Sequence, residues 1–166
     1  MFSILKAGEN GVTEKLDDVD FKILDLLQED SRLSYNKIAD KLGISVGTAY
    51  NRVKNLEEKG VIKGYTILVD PRKIGYNLTA LILIQAKGKH LVDVENKIAK
   101  MDNIISVYDI TGDFDIAVIA RFKDIDCLNR FVKSLLSLPY VERTVTNVVL
   151  NVVKEDFRPK NYGKNL

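Results

Sequence analysis

Cysteine and histidine are almost absent from the sequence, which contains one of each among 166 residues. Cys127 therefore cannot form an internal disulfide, which suits a reducing compartment. We interpret Cys127 as a packed thiol rather than a nucleophile, and His90 as a surface-loop residue. No set of cysteines and histidines has zinc-site spacing, and there is no phosphate-binding loop or glycine-rich dinucleotide turn. We expect no catalytic residue, no metal, no cofactor and no enzymatic activity.

Long apolar runs are absent as well. No run approaches the ~20 residues that a membrane-spanning helix needs, and residues 1–15 have only a brief apolar patch instead of a signal-peptide core. Hydrophobic residues make up 46% of the chain and charged residues 29%, which is typical of globular rather than disordered proteins. We expect a cytoplasmic protein without a membrane partner, in which residues 1–15 form a flexible N-terminal extension.

Charge is nearly balanced overall but unevenly distributed. The net charge is +2. Residues 16–30 carry six acids against one base, whereas residues 31–65 carry seven bases against three acids. A local basic excess indicates phosphate binding even in a nearly neutral chain. The alternative is an ordinary solvated surface.

The basic stretch predicts two short helices separated by a tight turn. Ser45 stands at the expected N-cap of the second helix. Residues 16–30 predict a preceding helix, capped by Asp17 or Asp18, that is too acidic to lie on DNA. A polar, cationic helix braced by another helix fits the DNA major groove. The apolar stripes of the two helices are formed by Ile38, Ala39 and Leu42 and by Ala49, Val53 and Leu56.

The outer face of the second helix in this pair supplies the candidates for base contacts. Asn51 can pair with adenine and Arg52 with guanine. Ser45 has a second interpretation as a cap alone, and Lys54 as a solvated lysine. The predicted DNA-binding residues are Ser34, Tyr35, Ser45, Thr48, Tyr50, Asn51, Arg52, Lys54 and Lys63.

The rest of the chain alternates strands and helices. Residues 61–69 predict a small wing or a linker strand, and residues 70–77, with Asp70-Pro71, predict a domain boundary. Strands are predicted at 78–86, 104–110, 115–122 and 141–153, and helices at 91–101 and 125–136. This βαββαβ order predicts a ferredoxin-like antiparallel sheet with both helices on one face. The fold class is α+β, with a (winged) helix-turn-helix domain at 16–69, a ferredoxin-like domain at 78–156 and a tail at 157–166.

Two strands of the predicted sheet are apolar on both faces. The helices cover one face, so the other also needs a cover. Another copy of the same sheet supplies it most simply. We therefore predict a homodimer, or a higher homo-oligomer, that packs sheet to sheet.

Four segments carry a resemblance to a known family: residues 38–45 and 52–65 in the helix-turn-helix, and residues 109–115 and 138–149 in the second half. These segments resemble the Lrp/AsnC family of transcription regulators. The resemblance implies an N-terminal domain that binds double-stranded DNA. It also implies a C-terminal domain that forms oligomers and binds amino acids.

The resemblance places an effector site on the loop around Gly112 and on the last strand. Asp113 or Asp115 can bind the ammonium group of an amino acid, and backbone amides near Gly112 its carboxylate. Ordinary hairpin chemistry is the alternative for this loop. The predicted ligand-binding residues are Thr111, Gly112, Asp113, Asp115, Thr144 and Thr146.

These features together predict a sequence-specific DNA-binding regulator of transcription that responds to a small molecule, expected to be an amino acid. The main alternative is a nucleoid-organising protein with low sequence preference. The chain lacks the convergent catalytic groups that an enzyme on this fold would need. The basic excess of residues 31–65 disfavours a small-molecule sensor that does not bind DNA.

Overall fold

The computed structural model describes residues 16–158. The predicted extension at 1–15 and most of the predicted tail lie outside the described residues. Residues 16–68 and 154–158 form one compact unit, and residues 69–153 form the other. In the first unit, Arg158 donates through Nη1 to the carbonyl oxygen of Gln28 at 3.3 Å. The short C-terminal segment therefore packs with the N-terminal helices.

The first unit contains three helices around a small apolar core. They are α1 (Asp18–Glu29), α2 (Tyr35–Leu42) and α3 (Val46–Glu58). The predicted stripes meet in this core, which is formed by Ile23, Ile38, Ala39, Ala49, Val53 and Leu56. Gly43 ends α2 with a φ of 66°, a left-handed conformation that glycine adopts without a Cβ penalty. The helix-turn-helix prediction is confirmed.

The second unit is an antiparallel sheet with two helices. It contains β1 (Leu78–Ala86), α4 (Leu91–Ile98), β2 (Ile104–Asp109), β3 (Ile116–Phe122), α5 (Ile125–Leu136) and β4 (Val141–Val148). The strand order is β2-β3-β1-β4, and all three pairings are antiparallel. Alternate residues of β1 and β3, such as Ile82 and Val118, pack against α4 and α5. The ferredoxin-like prediction is confirmed.

The last strand is shorter than its sequence suggests. Residues 141–153 were expected to form it, but β4 ends at Val148. Its final pairing joins Val148 to Ala80, and Val149 then donates to the carbonyl of Thr79, close to the start of β1. Beyond that point the described chain offers β4 no partner strand. The β-prone residues 150–153 therefore lie outside the strand, and Val149 keeps only this one bond to β1.

Residues 61–69 also differ from expectation. They form neither a wing strand nor a paired linker strand, although they are rich in β-branched residues. Ile67 and Leu68 are largely exposed. A strand needs a neighbour to bond with, and no extended segment of the described first unit pairs with this one.

Candidate DNA interface and effector site

Two serines cap the starts of α2 and α3. The Oγ atom of Ser34 accepts from the backbone N–H of Lys37 at 3.4 Å, and that of Ser45 accepts from Thr48 at 3.0 Å. The hydroxyls of Ser45 and Thr48 also lie 2.8 Å apart. The capping interpretation of Ser45 is therefore confirmed. Its predicted DNA contact stays a prediction, as does that of Thr48.

One face of α3 is exposed and polar. Ala49, Val53 and Leu56 are buried against α1 and α2. At ~100° per residue, the opposite face carries Gly47, Thr48, Asn51, Lys54, Asn55 and Glu58. All six are exposed.

Asn55 is missing from the predicted interface residues, although it lies one helical turn after Asn51. The i,i+4 spacing from Asn51 is the sequence signal that identifies it. The exposed face of α3 therefore presents two amides rather than one.

Lys54 is held by a carboxylate at the end of α3. Its Nζ atom lies 3.1 Å from Glu57 Oε2, and Glu57 Oε1 accepts from the hydroxyl of Tyr65 at 2.8 Å. The Tyr65 hydroxyl and the Lys54 ammonium lower the pKa of Glu57. Burial and the bond to Glu57 raise the pKa of Tyr65 to about 12. Lys54 is thus a positioned cation as well as an exposed one.

Two tyrosines join α2 to α3. The rings of Tyr35 and Tyr50 meet edge to face, with centroids 5.3 Å apart. Such aromatic pairs stabilise their contact by about 0.5–1.5 kcal/mol beyond area burial. Tyr50 remains exposed. Lys63 is also exposed, in the unpaired segment after α3.

Arg52 lies on the side of α3 that faces α1. Its Nη1 atom donates to Asp17 Oδ1 at 2.8 Å, to Asp17 Oδ2 at 2.7 Å and to Asp20 Oδ1 at 2.9 Å. These two carboxylates raise the pKa of Arg52. The predicted guanine contact is untested, but the guanidinium already has partners within its own domain.

The predicted effector loop connects β2 to β3. Gly112 has a φ of 121°, which favours glycine at that position. Asp115 donates from its backbone N–H to the carbonyl of Ile84 at 3.1 Å, and its Oδ2 accepts from the backbone N–H of Ala86 at 2.9 Å. Thr111 and Asp113 are exposed. Asp113 is therefore the freer carboxylate of the two candidates.

The two threonines of the predicted site lie on β4. Thr144 pairs with Ile84 and Thr146 with Ile82, so both side chains share the sheet face that the helices cover. Strand β1 separates them from the loop. The structure therefore does not bring the threonines and the loop carboxylates into one cluster within the chain.

Phe114 and Arg143 connect the loop to β4 instead. The guanidinium carbon of Arg143 lies 5.5 Å from the ring centroid of Phe114, within cation–π range. Neither residue is among the predicted ligand-binding residues. Their only sequence signal is proximity to predicted site residues, since Phe114 lies within the loop and Arg143 precedes Thr144.

His90 and Cys127 both have neighbours within the second unit. The rings of His90 and Tyr140 stack with centroids 3.6 Å apart, and His90 lies directly before α4, half-buried, rather than in a free surface loop. The Sγ atom of Cys127 accepts from Arg130 at 3.1 Å. Among residues 16–158, no group of three or more potential metal ligands is present, and no helix is long and apolar enough to cross a membrane.

Comparison with known proteins assigns both units. Residues 79–159 match the model of the Lrp/AsnC ligand binding domain, and residues 16–63 match a winged helix-turn-helix DNA-binding model. An HTH-type transcriptional regulator of Pyrococcus furiosus is 54% identical over 144 residues, which cover 87% of this chain and 97% of that protein. The chain belongs to the Lrp/AsnC family. This Lrp/AsnC chain is a transcription regulator and not an enzyme, as predicted.

Two further proteins resemble this Lrp/AsnC chain over most of its length. The HTH-type transcriptional regulator FL11 of Pyrococcus furiosus is 41% identical over 140 residues, covering 84% of this chain and 93% of FL11. A transcriptional regulator of Neisseria meningitidis, solved as a complex with L-Met, has a TM-score of 0.80 and 28% identity. That likeness covers 86% of this chain and 95% of the Neisseria chain.

Proposed function

We propose that this regulator binds double-stranded DNA in a sequence-specific manner through the exposed face of α3. The observation that carries the proposal is the set of polar side chains on one face, opposite the buried Ala49, Val53 and Leu56. Asn51 and Asn55 present amides that can bond to adenine, and Lys54 supplies a cation for phosphate. The basic excess of residues 31–65 adds attraction to the DNA backbone.

Selection from a random double-stranded DNA library tests the proposal. The full chain should enrich one motif, and Asn51→Ala should weaken binding to it and relax the preference at one position. Asn96→Ala, on α4 of the other unit, is the matched control. If the wild type enriches no motif and binds every DNA sequence with equal affinity, the nucleoid-organising alternative is favoured and sequence-specific regulation is overturned.

The proposed partner of the chain is a second copy, packed against the sheet face opposite the helices. The register places Leu81, Leu83, Ile119 and Val145 on that face, and Leu81 is exposed. An apolar face of this kind supports a protein interface. Sedimentation should give at least a dimer, whereas Leu81→Lys with Leu83→Lys should give a monomer. A monomeric wild type at micromolar concentration would overturn the proposal.

A dimer adds a constraint on the target. Two copies of α3 related by twofold symmetry enter major grooves about one DNA turn apart, or a multiple of it. The enriched motif should therefore be roughly palindromic. A selected motif without a second half-site would argue against DNA recognition by a symmetric dimer.

The proposed effector is an amino acid bound at the loop between β2 and β3. The Neisseria relative solved with L-Met supports this class of ligand. In this chain Asp113 is the carboxylate available for an ammonium group, because Asp115 already bonds to Ala86. The threonines of β4 lie across the sheet from the loop, so their part in the same site requires residues from another subunit.

Calorimetry with each of the twenty amino acids tests the effector proposal. Asp113→Asn should weaken binding of any amino acid that the wild type binds. Thr144→Val and Thr146→Val should do so only if the oligomer completes the site. If no amino acid gives a heat of binding, the effector proposal is wrong. The proposed compartment in which the regulator works is the cytoplasm.

A further inference from the structure

The ion-pair cluster of Arg52, Asp17 and Asp20 joins α3 to the start of α1. One nitrogen, Nη1 of Arg52, donates to three carboxylate oxygens at 2.7 to 2.9 Å. The side chain of Arg52 is 31% exposed, that of Asp17 55% and that of Asp20 13%. The Asp20 side chain is thus taken largely out of water beside the guanidinium. The strength of such a contact depends on keeping both partners in place.

Both carboxylates are themselves fixed by backbone bonds. Asp17 caps α1, and its Oδ1 accepts from the backbone N–H groups of Val19 and Asp20. Asp20 completes the capping box, because its Oδ2 accepts from the backbone N–H of Asp17 at 3.2 Å. These reciprocal bonds hold the two carboxylates at the first turn of α1. Arg52 therefore bonds to a preorganised acceptor and not to flexible surface acids.

The position of Arg52 on α3 gives this contact a consequence for DNA recognition. Arg52 directly follows Asn51 and precedes Asn55 by three residues, so all three share the middle of the helix. The core contacts of α3 are made by Ala49, Val53 and Leu56, and the hydrophobic effect that stabilises them is non-directional. A hydrogen-bonded ion pair is directional and adds a specific constraint on the rotation of α3 about its axis.

We propose that Arg52 is a positioning residue for DNA recognition: through Asp17 and Asp20 it sets the rotation of α3 about its axis, and with it the direction of Asn51 and Asn55. The proposal rests on DNA binding through α3. In this proposal Arg52 does not contact a base itself. It sets the geometry of the base contacts that Asn51 and Asn55 make. Recognition groups must lie within about 0.5 Å and 10–20° of the productive geometry, so a small rotation of α3 affects every base contact together.

The test compares Arg52→Gln with the double variant Asp17→Asn, Asp20→Asn. Asparagine is as good an N-cap as aspartate, so the double variant keeps the capping acceptors and removes the charges. Both variants should bind the motif selected by the wild type about tenfold more weakly. The loss of base preference should spread over the half-site, and combining the three substitutions should add little. Affinity is measured by fluorescence anisotropy, and base preference by library selection.

Two controls separate positioning from stability. Ile23→Val removes one methylene group from the same core, which lowers the stability of the domain modestly, and should leave the DNA affinity unchanged well below the melting temperature. Arg52→Lys returns a cation to the two carboxylates, since all three bonds come from one nitrogen. It should restore affinity to within about threefold of wild type. If the double variant does not fold, as judged by circular dichroism, the contrast between Arg52→Lys and Arg52→Gln decides.

The opposing results are distinct. If Arg52→Gln and Arg52→Lys each abolish preference at one base pair while the double variant binds normally, Arg52 reads that base and the proposal is wrong. If Ile23→Val loses as much DNA affinity as Arg52→Gln, the ion-pair cluster contributes only to the general stability of the domain, and the proposal is wrong. If the wild type selects no motif, the proposed sequence-specific function is wrong, and this result alone does not decide the role of Arg52. The affinities of Arg52→Gln and of the double variant for mixed-sequence DNA then decide: equal losses support positioning, and a normal double variant overturns it.

Discussion

The carboxylate of Asp115 accepts a hydrogen bond from the backbone N–H of Ala86 at 2.9 Å, across the boundary between the β2–β3 loop and the end of β1. The register of β1 with β4 shifts between Gln85 and Ala86. The side chain of Asp115 thus bonds to the sheet at the point where regular pairing is interrupted. Its neighbour Asp113 is exposed. The two acids of the loop therefore have different environments.

Asp115→Ala should destabilise the second unit. The variant leaves the partly buried N–H of Ala86 without its partner, at a cost of about 1–3 kcal/mol. Asp115→Asn keeps an acceptor and should lose less. Chemical denaturation measures both changes in the free energy of unfolding, with Asp113→Ala as the exposed control. Equal stability of Asp115→Ala and Asp113→Ala would show that the bond to Ala86 contributes nothing.

Glu95→Gln should stabilise the protein at neutral pH. Burial, and then the nearby charge of Asp109, raises the pKa of Glu95 above its ordinary value of 4.5, and its Oε1 atom is buried without a hydrogen-bond partner in the described structure. A raised acid pKa means that the folded state binds the proton more tightly than the unfolded state. The wild type therefore loses stability as the pH rises from 4.5 through the folded-state pKa of Glu95.

Unfolding by urea at several pH values measures this effect. The advantage of Glu95→Gln over the wild type should be absent at a pH well below 4.5 and complete at neutral pH. Glu142→Gln, at an exposed position on β4, is the control. An advantage for Glu95→Gln that is independent of pH would point to packing instead of charge.

The helices and strands could be predicted from the sequence because the spacing of apolar residues and the helix caps are properties of neighbouring residues. Helical spacing of Ala49, Val53 and Leu56 and the serine before α3 predict that helix and its cap, and both are present. The strand-helix order predicts the sheet for the same reason. The end of β4 is not a local property, because it depends on where the partner strand β1 begins.

The hydrogen-bond and ion-pair partners of the site residues could not be predicted from the sequence. Arg52 and Asp17 are separated by 35 residues, and Ala86 and Asp115 by 29. No local spacing rule links residues that far apart in sequence. Charge counting assigned the acids of α1 to a supporting helix, and the predicted outer face of α3 assigned Arg52 to DNA. Only the packing of α1 against α3 shows that these charges meet. The pairing of Thr144 with Ile84 likewise became clear only with the register.

Tyr65→Phe should weaken the first unit and change its acid sensitivity. It removes the bond from the Tyr65 hydroxyl to Glu57, which contributes about 1 kcal/mol. The lowered pKa of Glu57 contributes stability above its ordinary value of 4.5, and this is lost as the pH falls through the folded-state pKa. The difference between Tyr65→Phe and wild type should therefore be present at neutral pH and shrink in acid. Tyr108→Phe, at an exposed position on β2, should show no such difference, and a gap that persists in acid would argue against the bond to Glu57.

Asn55→Ala should reduce affinity for the selected DNA motif and relax its preference near the position read by Asn51. The two residues are separated by four positions, a rise of about 6 Å along α3, which is close to two base-pair steps of ~3.4 Å. Asn51 and Asn55 can therefore bond to bases one or two steps apart in the same groove. Losing one amide contact to a base costs about 1–3 kcal/mol. The measurement is library selection followed by anisotropy on single-base variants of the motif. Relaxed preference at the same base pair for Asn51→Ala and Asn55→Ala would contradict separate contacts, and unchanged binding in Asn55→Ala would place the DNA on another part of α3.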